Sequence, residues 1–443
     1  MDSSRRRFLT GSMQTLGALS LAQSGLYPSE VFAASRETYQ GKISILQTLT
    51  TRSTTQLVVL TPSNQQYGYQ ILDAQGQAQN FRVLRREVRS HSTWGIEKLL
   101  VTGLVLNQDY TFRVIDAAKG TTIDERTFRS LDTEASNGRF AVASCMKDSS
   151  SNIDVMWSAV ETAAPQMMLL IGDTCYSDNG SNDGSQAGYW RRYVETRTRL
   201  TYFRQKRLIP TLAVWDDHDF AGNNANGTFA MKDYTRELFQ IFWGSEVEDP
   251  LLVRGPGVSQ VFSAFGQRFF MMDSRYFRTP AGTGNGQQWG PQQEEFLFTQ
   301  IAKNNRPAWL MNGSQFFGGY LKKDAFEYDQ YNNLMNICTG LSKVEAPVVF
   351  TSGDVHFAEY MNIEAKILGY PTIEITSSCI HSTTVAFNHL RHKNDRRIDA
   401  TSSVNFAIIE ASAAQGNNWK IHAQCIGKQA KVLMDQFFSI QRG

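Results

Sequence analysis

The sequence predicts an α/β core with both faces of its sheets covered, preceded by a small β-sandwich. Three observations lead there. Between residues 40 and 132, about seven short apolar or alternating runs are separated by turn residues. From Arg139 onward the apolar runs become near-continuous and alternate with helix-like segments, which is how strands buried on both faces read. Several of these later runs end in residues able to bind a metal or move a proton.

Composition narrows the class. A chain of 443 residues, 41% hydrophobic, is too long for one ordinary domain, so two or three are expected. With 19% charged and 12% aromatic residues it is not a disordered chain. Lys+Arg 44 against Asp+Glu 42 leaves a formal charge of +2. That balance speaks against a nucleic-acid-binding domain, which carries a basic face. Past the first segment no run of about 18 apolar residues occurs, so no stable membrane anchor is expected. Five cysteines, a low and odd count, make a disulfide framework unexpected.

Residues 1–33 read as an export leader: a basic head, a mildly apolar middle and small residues at the end. Ser4, Arg5, Arg6, Phe8 and Leu9 resemble the twin-arginine type, with cleavage expected after Ala33. Such a leader implies the twin-arginine export machinery and a bacterial periplasmic or secreted product. Its substrates cross the membrane folded, often with a metal already loaded.

In the 40–132 domain the expected strands are ISILQTL, QLVVLTP, YGYQILD, NFRVLRREV, IEKLLVTGL, DYTFRVID and DERTFRSLD. Asp73–Gly76, Asn107–Gln108 and Ala117–Gly120 supply turns between them. Leu104 stands six residues before Tyr110. This resembles fibronectin type III and related sandwiches, where a tyrosine caps the turn between sheets. Few His, Asp or Glu cluster here, so the domain is assigned packing or site-shaping and no chemistry.

The second domain, 138–443, is where the reactive residues gather. FAVASC ends at Cys145, and MMLLIGDTCY offers Asp173 and Tyr176. TLAVWDDHDFAGNN offers Asp216, Asp217, His218 and Asn224. FFMMDSR offers Asp273 and Arg275, and VVFTSGDVH offers Asp354 and His356. One such residue alone is ordinarily a turn, a cap or, for cysteine, a small core residue. Five strand ends carrying them together have no structural explanation, because gathered carboxylates repel unless cations neutralise them. Open α/β sheets bind ligands just outside the carboxyl ends of their strands. A metal site is expected there.

Other reactive types have plainer readings. Cys175, Cys338, Cys379 and Cys425 are expected in the core. His381, His389 and His392 are expected at the surface or the site rim, and the arginines of RRYVETRTRL on a solvated helix face.

The combination of GDTCY, WDDHDFAGNN, MDSR, SGDVH and the cysteine of ASC resembles the calcineurin-like metallophosphoesterases. Its spelling is similar to their alkaline phosphatase D, or PhoD-type, branch. The motifs run from about residue 120 to about 360, and the last ~80 residues carry none. The resemblance implies a metallophosphoesterase-type α/β sandwich, two central sheets flanked by helices. It implies an exported phosphatase or phosphodiesterase, serving phosphate acquisition, that hydrolyses phosphate mono- or diesters through a metal-activated hydroxide. The implied cofactors are Fe(3+) with one or more Ca(2+). Asp173 would bridge two metals, with Cys145 and Tyr176 completing the ferric side. Asp217, or its neighbour Asp216, would ligate, as would Asp354 and His356, and Asn223 or Asn224 would join calcium.

Residue chemistry points the same way. Extra carboxylates make the site hard and anionic, favouring oxygen-preferring cations, while a phenolate and a thiolate balance a trivalent ion. Arg275 offers a two-pronged donor to phosphoryl oxygens. His218 is placed to protonate the leaving oxygen or to position it. The alternative is that the same site serves a different hydrolysis, phospholipid head-group release or phosphotriester cleavage. A non-catalytic exported binding protein is the remaining reading, and the intact ligand set opposes it.

Overall fold

In the computed structural model, which describes residues 41–280, 286–318, 325–412 and 418–442, the first seven strands form two antiparallel sheets. The leader expected at 1–33 lies outside the described residues. One sheet has the order β1-β2-β5-β4 and the other β3-β6-β7, for β1 (Ser44–Thr50), β2 (Thr54–Pro62), β3 (Tyr67–Leu72), β4 (Phe81–Val88), β5 (Trp94–Thr102), β6 (Asp109–Asp116) and β7 (Thr121–Arg129). Strand β6 shows the two-residue period that sorts its faces: Tyr110, Phe112 and Val114 are buried and the residues between them are not. These side chains meet Ile45, Leu57, Val59, Leu99 and Val101 of the other sheet in one apolar core. Tyr110 stacks on Phe128, with ring centroids 5.5 Å apart, and its hydroxyl accepts the Val105 N–H at 2.7 Å. The tyrosine therefore caps the turn that leads into its own strand.

Two larger sheets follow. The first has the order β10-β9-β8-β19-β20-β21, where β8 (Asn137–Ala143), β9 (Met167–Ile171) and β10 (Thr211–Val214) run parallel. Strands β11 (Leu252–Arg254), β12 (Gln260–Ala264), β13 (Gln267–Met271), β14 (Ala308–Asn312), β15 (Val348–Ser352), β16 (Ala358–Ile363), β17 (Thr372–Thr376) and β18 (Arg397–Thr401) make the second, in the order β11-β12-β13-β14-β15-β17-β16-β18. The first sheet is completed by β19 (Phe406–Ser412), β20 (Asn418–Ile426) and β21 (Val432–Gln441). Strand alternation explains the near-continuous apolar runs. Phe140, Val142, Met167, Leu169 and Ile171 face the second sheet in one core. Their neighbours Ala141, Ala143, Met168 and Leu170 face helices in another. Each strand is apolar throughout because both of its faces are covered. Among the described residues no helix is long and apolar enough to cross a membrane.

The helices on that outer face include α1 (Ile153–Ala163), α2 (Gln186–Arg199), α3 (Asp217–Phe220) and α4 (Lys232–Trp243). Val58 and Leu60 of β2 belong to the same core as α2 and α4, so β2 is buried on both faces and its QLVVL run is continuous.

The arginines of α2 depart from the expected solvated face. Arg191 and Arg199 are exposed, but Arg192 and Arg197 are each 1% exposed. Burial of an arginine requires partners for its donors, and both have them. Arg192 forks onto Asp148 at 3.0 and 3.2 Å. Arg197 donates to Ser44 Oγ (3.1 Å), Phe242 O (3.0 Å) and Val58 O (3.2 Å). It thereby fastens β1 and β2 to α2 and the end of α4. Arg197→Met would strand two carbonyls and a hydroxyl in the interior and should lower the unfolding free energy by about 3 kcal/mol. Arg191→Met should stay within about 0.5 kcal/mol of the parent. Urea denaturation of the two variants separates them, and equal stabilities would remove Arg197 as the fastener.

Candidate metal centre

The site lies where the parallel strands of both sheets end. Glycine and tight turns bring the chain around within one or two residues of each strand. Cys145 (φ 61°), Asp173 (φ 52°), Asn224 (φ 59°), Asp354 (φ 69°) and His356 (φ 56°) all occupy left-handed backbone. That region is uncommon for residues with a side chain, and such residues gather at functional sites held by their surroundings. Here the surroundings are hydrogen bonds. Cys145 N–H donates to Gly172 O (3.2 Å) and Met146 N–H to Asp173 O (2.8 Å), joining the β8 and β9 turns. His356 N–H donates to Ser378 Oγ at 2.9 Å. Asn224 N–H donates to Asp217 Oδ2 at 2.6 Å.

These turns bring the expected ligands together in a row. Cys145, Asp173 and His356 present ligand atoms that all lie within 4.8 Å of one another. The same holds for Asp173, Asp217 and His218, and for Asp216, Asp217 and Asp354. Asp173 is shared by the first two groups and Asp217 by the last two. Tyr176 reaches the first group: its hydroxyl lies 3.3 Å from His356 Nε2 and 2.9 Å from Ser382 Oγ. Asn224 enters through its backbone N–H.

The electrostatics of the row are those of a donor set awaiting charge. Burial, reinforced by Asp217, Asp216, Asp219 and Asp354, pushes the Asp173 carboxyl well above the usual carboxylate range. Burial also raises the Cys145 thiol and the Tyr176 phenol, and Asp173 adds to both effects. Burial lowers His356, favouring the neutral imidazole that ligates metals. Asp217 is held low against the effect of burial by Arg275, His218 and the Asn224 N–H. Among the described residues, Asp216 Oδ2 is buried without a hydrogen-bond partner. These residues fit cations. A thiol, a phenol, an imidazole and a carboxylate suit a transition metal on one side, and carboxylates alone suit a hard cation on the other.

Arg275, expected from the sequence as a two-pronged donor to phosphoryl oxygens, sits behind the row. It is fully buried, and its Nε donates to Asp216 Oδ1 at 2.5 Å while Nη2 reaches Ser314 Oγ at 3.1 Å. Its Nη2 stands 4.0 Å from Asp217. The guanidinium is a fixed counter-charge to the two neighbouring aspartates. Asp273 has no ligand role in this arrangement; it accepts Trp215 Nε1–H (2.6 Å) and the N–H groups of Arg275 and Tyr276 (2.9 Å each), holding the arginine's turn.

His218 is held between Asp178 and Tyr176. Its Nδ1 lies 2.8 Å from Asp178 Oδ1, and its ring stacks on Tyr176 with centroids 4.3 Å apart. Burial lowers its pKa, but the Asp178 hydrogen bond and the charges of Asp217 and Asp219 outweigh that and leave it raised.

Two participants, Asp178 and Asp219, were not singled out in the sequence. Asp178 stands two residues past Tyr176, where an acid reads as a turn residue. Asp219 accepts Thr174 Oγ1–H (2.5 Å), Cys175 N–H (2.8 Å) and Asp216 N–H (3.0 Å), tying the β9 and β10 turns together. His381 was expected at the surface or rim but is fully buried, between the Trp157 indole and the Lys147 carbonyl. All five cysteines are buried and free, and Cys175 Sγ lies 3.4 Å from Thr196 Oγ1.

No family model matches the chain, and no curated protein matches it. Among solved structures, one described as "Structure of PhoD" superposes with a TM-score of 0.63 at 14% sequence identity, covering 92% of this chain and 90% of that chain. The fold is thus PhoD-type: two central sheets with flanking helices behind a small N-terminal β-sandwich.

Two glycines clasp Asp216. A methyl added at Gly172 (φ 108°) would stand 2.6 Å from Asp216 Cβ, and one at Gly313 would stand 2.5 Å from its Cγ. Gly313→Ala should therefore cost about 1–3 kcal/mol and lower the metal bound per chain, read by chemical denaturation and elemental analysis. Parental values in both would show that the pocket has slack.

Proposed function

We propose that this chain is an exported, metal-dependent phosphoesterase, a hydrolase acting on phosphate mono- or diesters. The observation that carries the reading is the buried row running from Cys145 and Tyr176 through Asp173 and Asp217 to Asp354, at the carboxyl ends of parallel strands in a PhoD-type fold. The proposed cofactors are Fe(3+) and Ca(2+). Cys145, Asp173, Tyr176 and His356 would hold the ferric ion, and Asp173, Asp217 and Asp354, supported by Asp216 and Asn224, would hold calcium. Bound cations supply Lewis-acid charge to a phosphoryl group and make water nucleophilic at ordinary pH.

The chain's own residues do the rest. His218, anchored at Nδ1 by Asp178, leaves Nε2 to give its proton to the leaving oxygen. Arg275 holds Asp216 and offsets the carboxylate charge from behind the site. The leader over 1–33, with its paired Arg5 and Arg6 before Phe8 and Leu9, supports twin-arginine export to the periplasm or beyond and a role in phosphate acquisition. In this reading 40–132 is an accessory sandwich and 138–443 the catalytic domain.

Metal analysis with parallel assays of p-nitrophenyl phosphate and its bis ester tests the proposal. Asp173→Asn keeps the size of the side chain and removes the charge shared by two ligand groups. It should lose bound metal and at least ~10³ in turnover, and near-normal activity would overturn the assignment.

Iron is tested by colour. A phenolate on a ferric ion absorbs visible light, whereas zinc, magnesium and calcium give colourless proteins. The purified protein should be violet to pink, and Tyr176→Phe should bleach it while its circular dichroism spectrum stays parental. A fully active preparation without iron or a visible band would refute the ferric assignment.

A further inference from the structure

One cation beside the acidic row has no part in the chemistry above. Lys147 stands two residues after Cys145, on the turn that leaves β8, and the chain is pinned on both sides of it. Met146 N–H donates to Asp173 O at 2.8 Å. Asp148 is gripped by Arg192 at 3.0 and 3.2 Å. The Lys147 carbonyl itself lies 3.0 Å from His381 Nδ1. The other ring nitrogen of His381 takes the Trp157 indole N–H at 3.2 Å. Because the indole only donates, Nε2 must accept, and Nδ1 carries the proton donated to Lys147 O. This fully buried relay has no ligand role, and it fixes the backbone from which the lysine side chain starts.

That side chain reaches back over the site. Nζ lies 5.9 Å from the Tyr176 ring centroid, above the same phenol on which His218 stacks. Lys147 is half-buried, and among the described residues its ammonium makes no ion pair. A placed ammonium without a carboxylate partner, beside a centre that binds cations, is a point charge open to an oxyanion.

We infer that Lys147 is a substrate-anchoring cation that takes a non-bridging oxygen of the phosphate ester and biases the site toward phosphomonoesters. The inference rests on the phosphoesterase reading and narrows its substrate class. A monoester near neutral pH carries close to two negative charges and a diester one, and Coulomb attraction to a fixed cation scales with that charge.

The test uses the purified, metal-containing protein and inorganic phosphate as the probe. In Lys147→Met, calorimetric titration should show phosphate affinity reduced by about tenfold or more, with parental metal content. The kcat/KM for p-nitrophenyl phosphate should fall by a similar factor, mainly through KM, while the bis ester loses less than about threefold. Lys147→Arg, which keeps the charge, should recover most of the phosphate affinity. Parental phosphate affinity in Lys147→Met would overturn the inference. So would equal losses on both esters accompanied by lost metal, or a parent protein that does not bind phosphate. A parent that binds phosphate but hydrolyses neither ester would sink the phosphoesterase reading alone, since the phosphate titration still decides Lys147.

Discussion

The structure depends on keeping several acids where they repel one another. Asp173, Asp216, Asp217, Asp219 and Asp354 are gathered at adjoining strand ends, and each of the other four raises the cost of ionising Asp173. Left alone, buried carboxylates would take up protons or push the turns apart. The fold resists in two ways. It places a buried guanidinium, Arg275, against Asp216 and Asp217. It also spends Asp219 as an internal tie, whose carboxyl, pushed by burial up to about 7, holds the backbone of one turn to that of the next. The remaining excess of negative charge is what makes the place suited to cations.

The strand framework was legible in the sequence because it rests on period and composition. Seven short runs before residue 132 became the seven strands of the sandwich, and FAVASC, MMLLIGD, TLAVWDD and VVFTSGD each supplied a buried strand followed by a turn. Reactive residues at those ends could be seen to converge because parallel strands present their carboxyl ends on one side.

What could not be read is what depends on partners distant in the chain. Arg192 and Arg197 look like surface residues in an Arg-rich helix, and partners such as Asp148, Glu195 and the Tyr176 carbonyl for the first, and Ser44, Val58 and Phe242 for the second, make their burial tolerable. No local pattern tells that the Arg275 Nε is taken by Asp216, 59 residues away in sequence. Asp178 and Asp219 are single acids in polar turns, indistinguishable there from caps. His381 belongs to a His-rich stretch with no ligand spacing, and its position under Lys147 arises from packing against Trp157.

Strand β2 carries a consequence for how the chain holds together. Its Leu57 and Val59 belong to the core of the sandwich, and its Val58 and Leu60 to the core that also packs α2 and α4. A party wall of this kind cannot be removed from one room without opening the other. The change in texture near residue 135 is therefore not a boundary of packing: Leu46 of β1 and Ile96 of β5 join Val58 and Leu60 in the core behind α2 and α4, so opening the sandwich would expose that core as well.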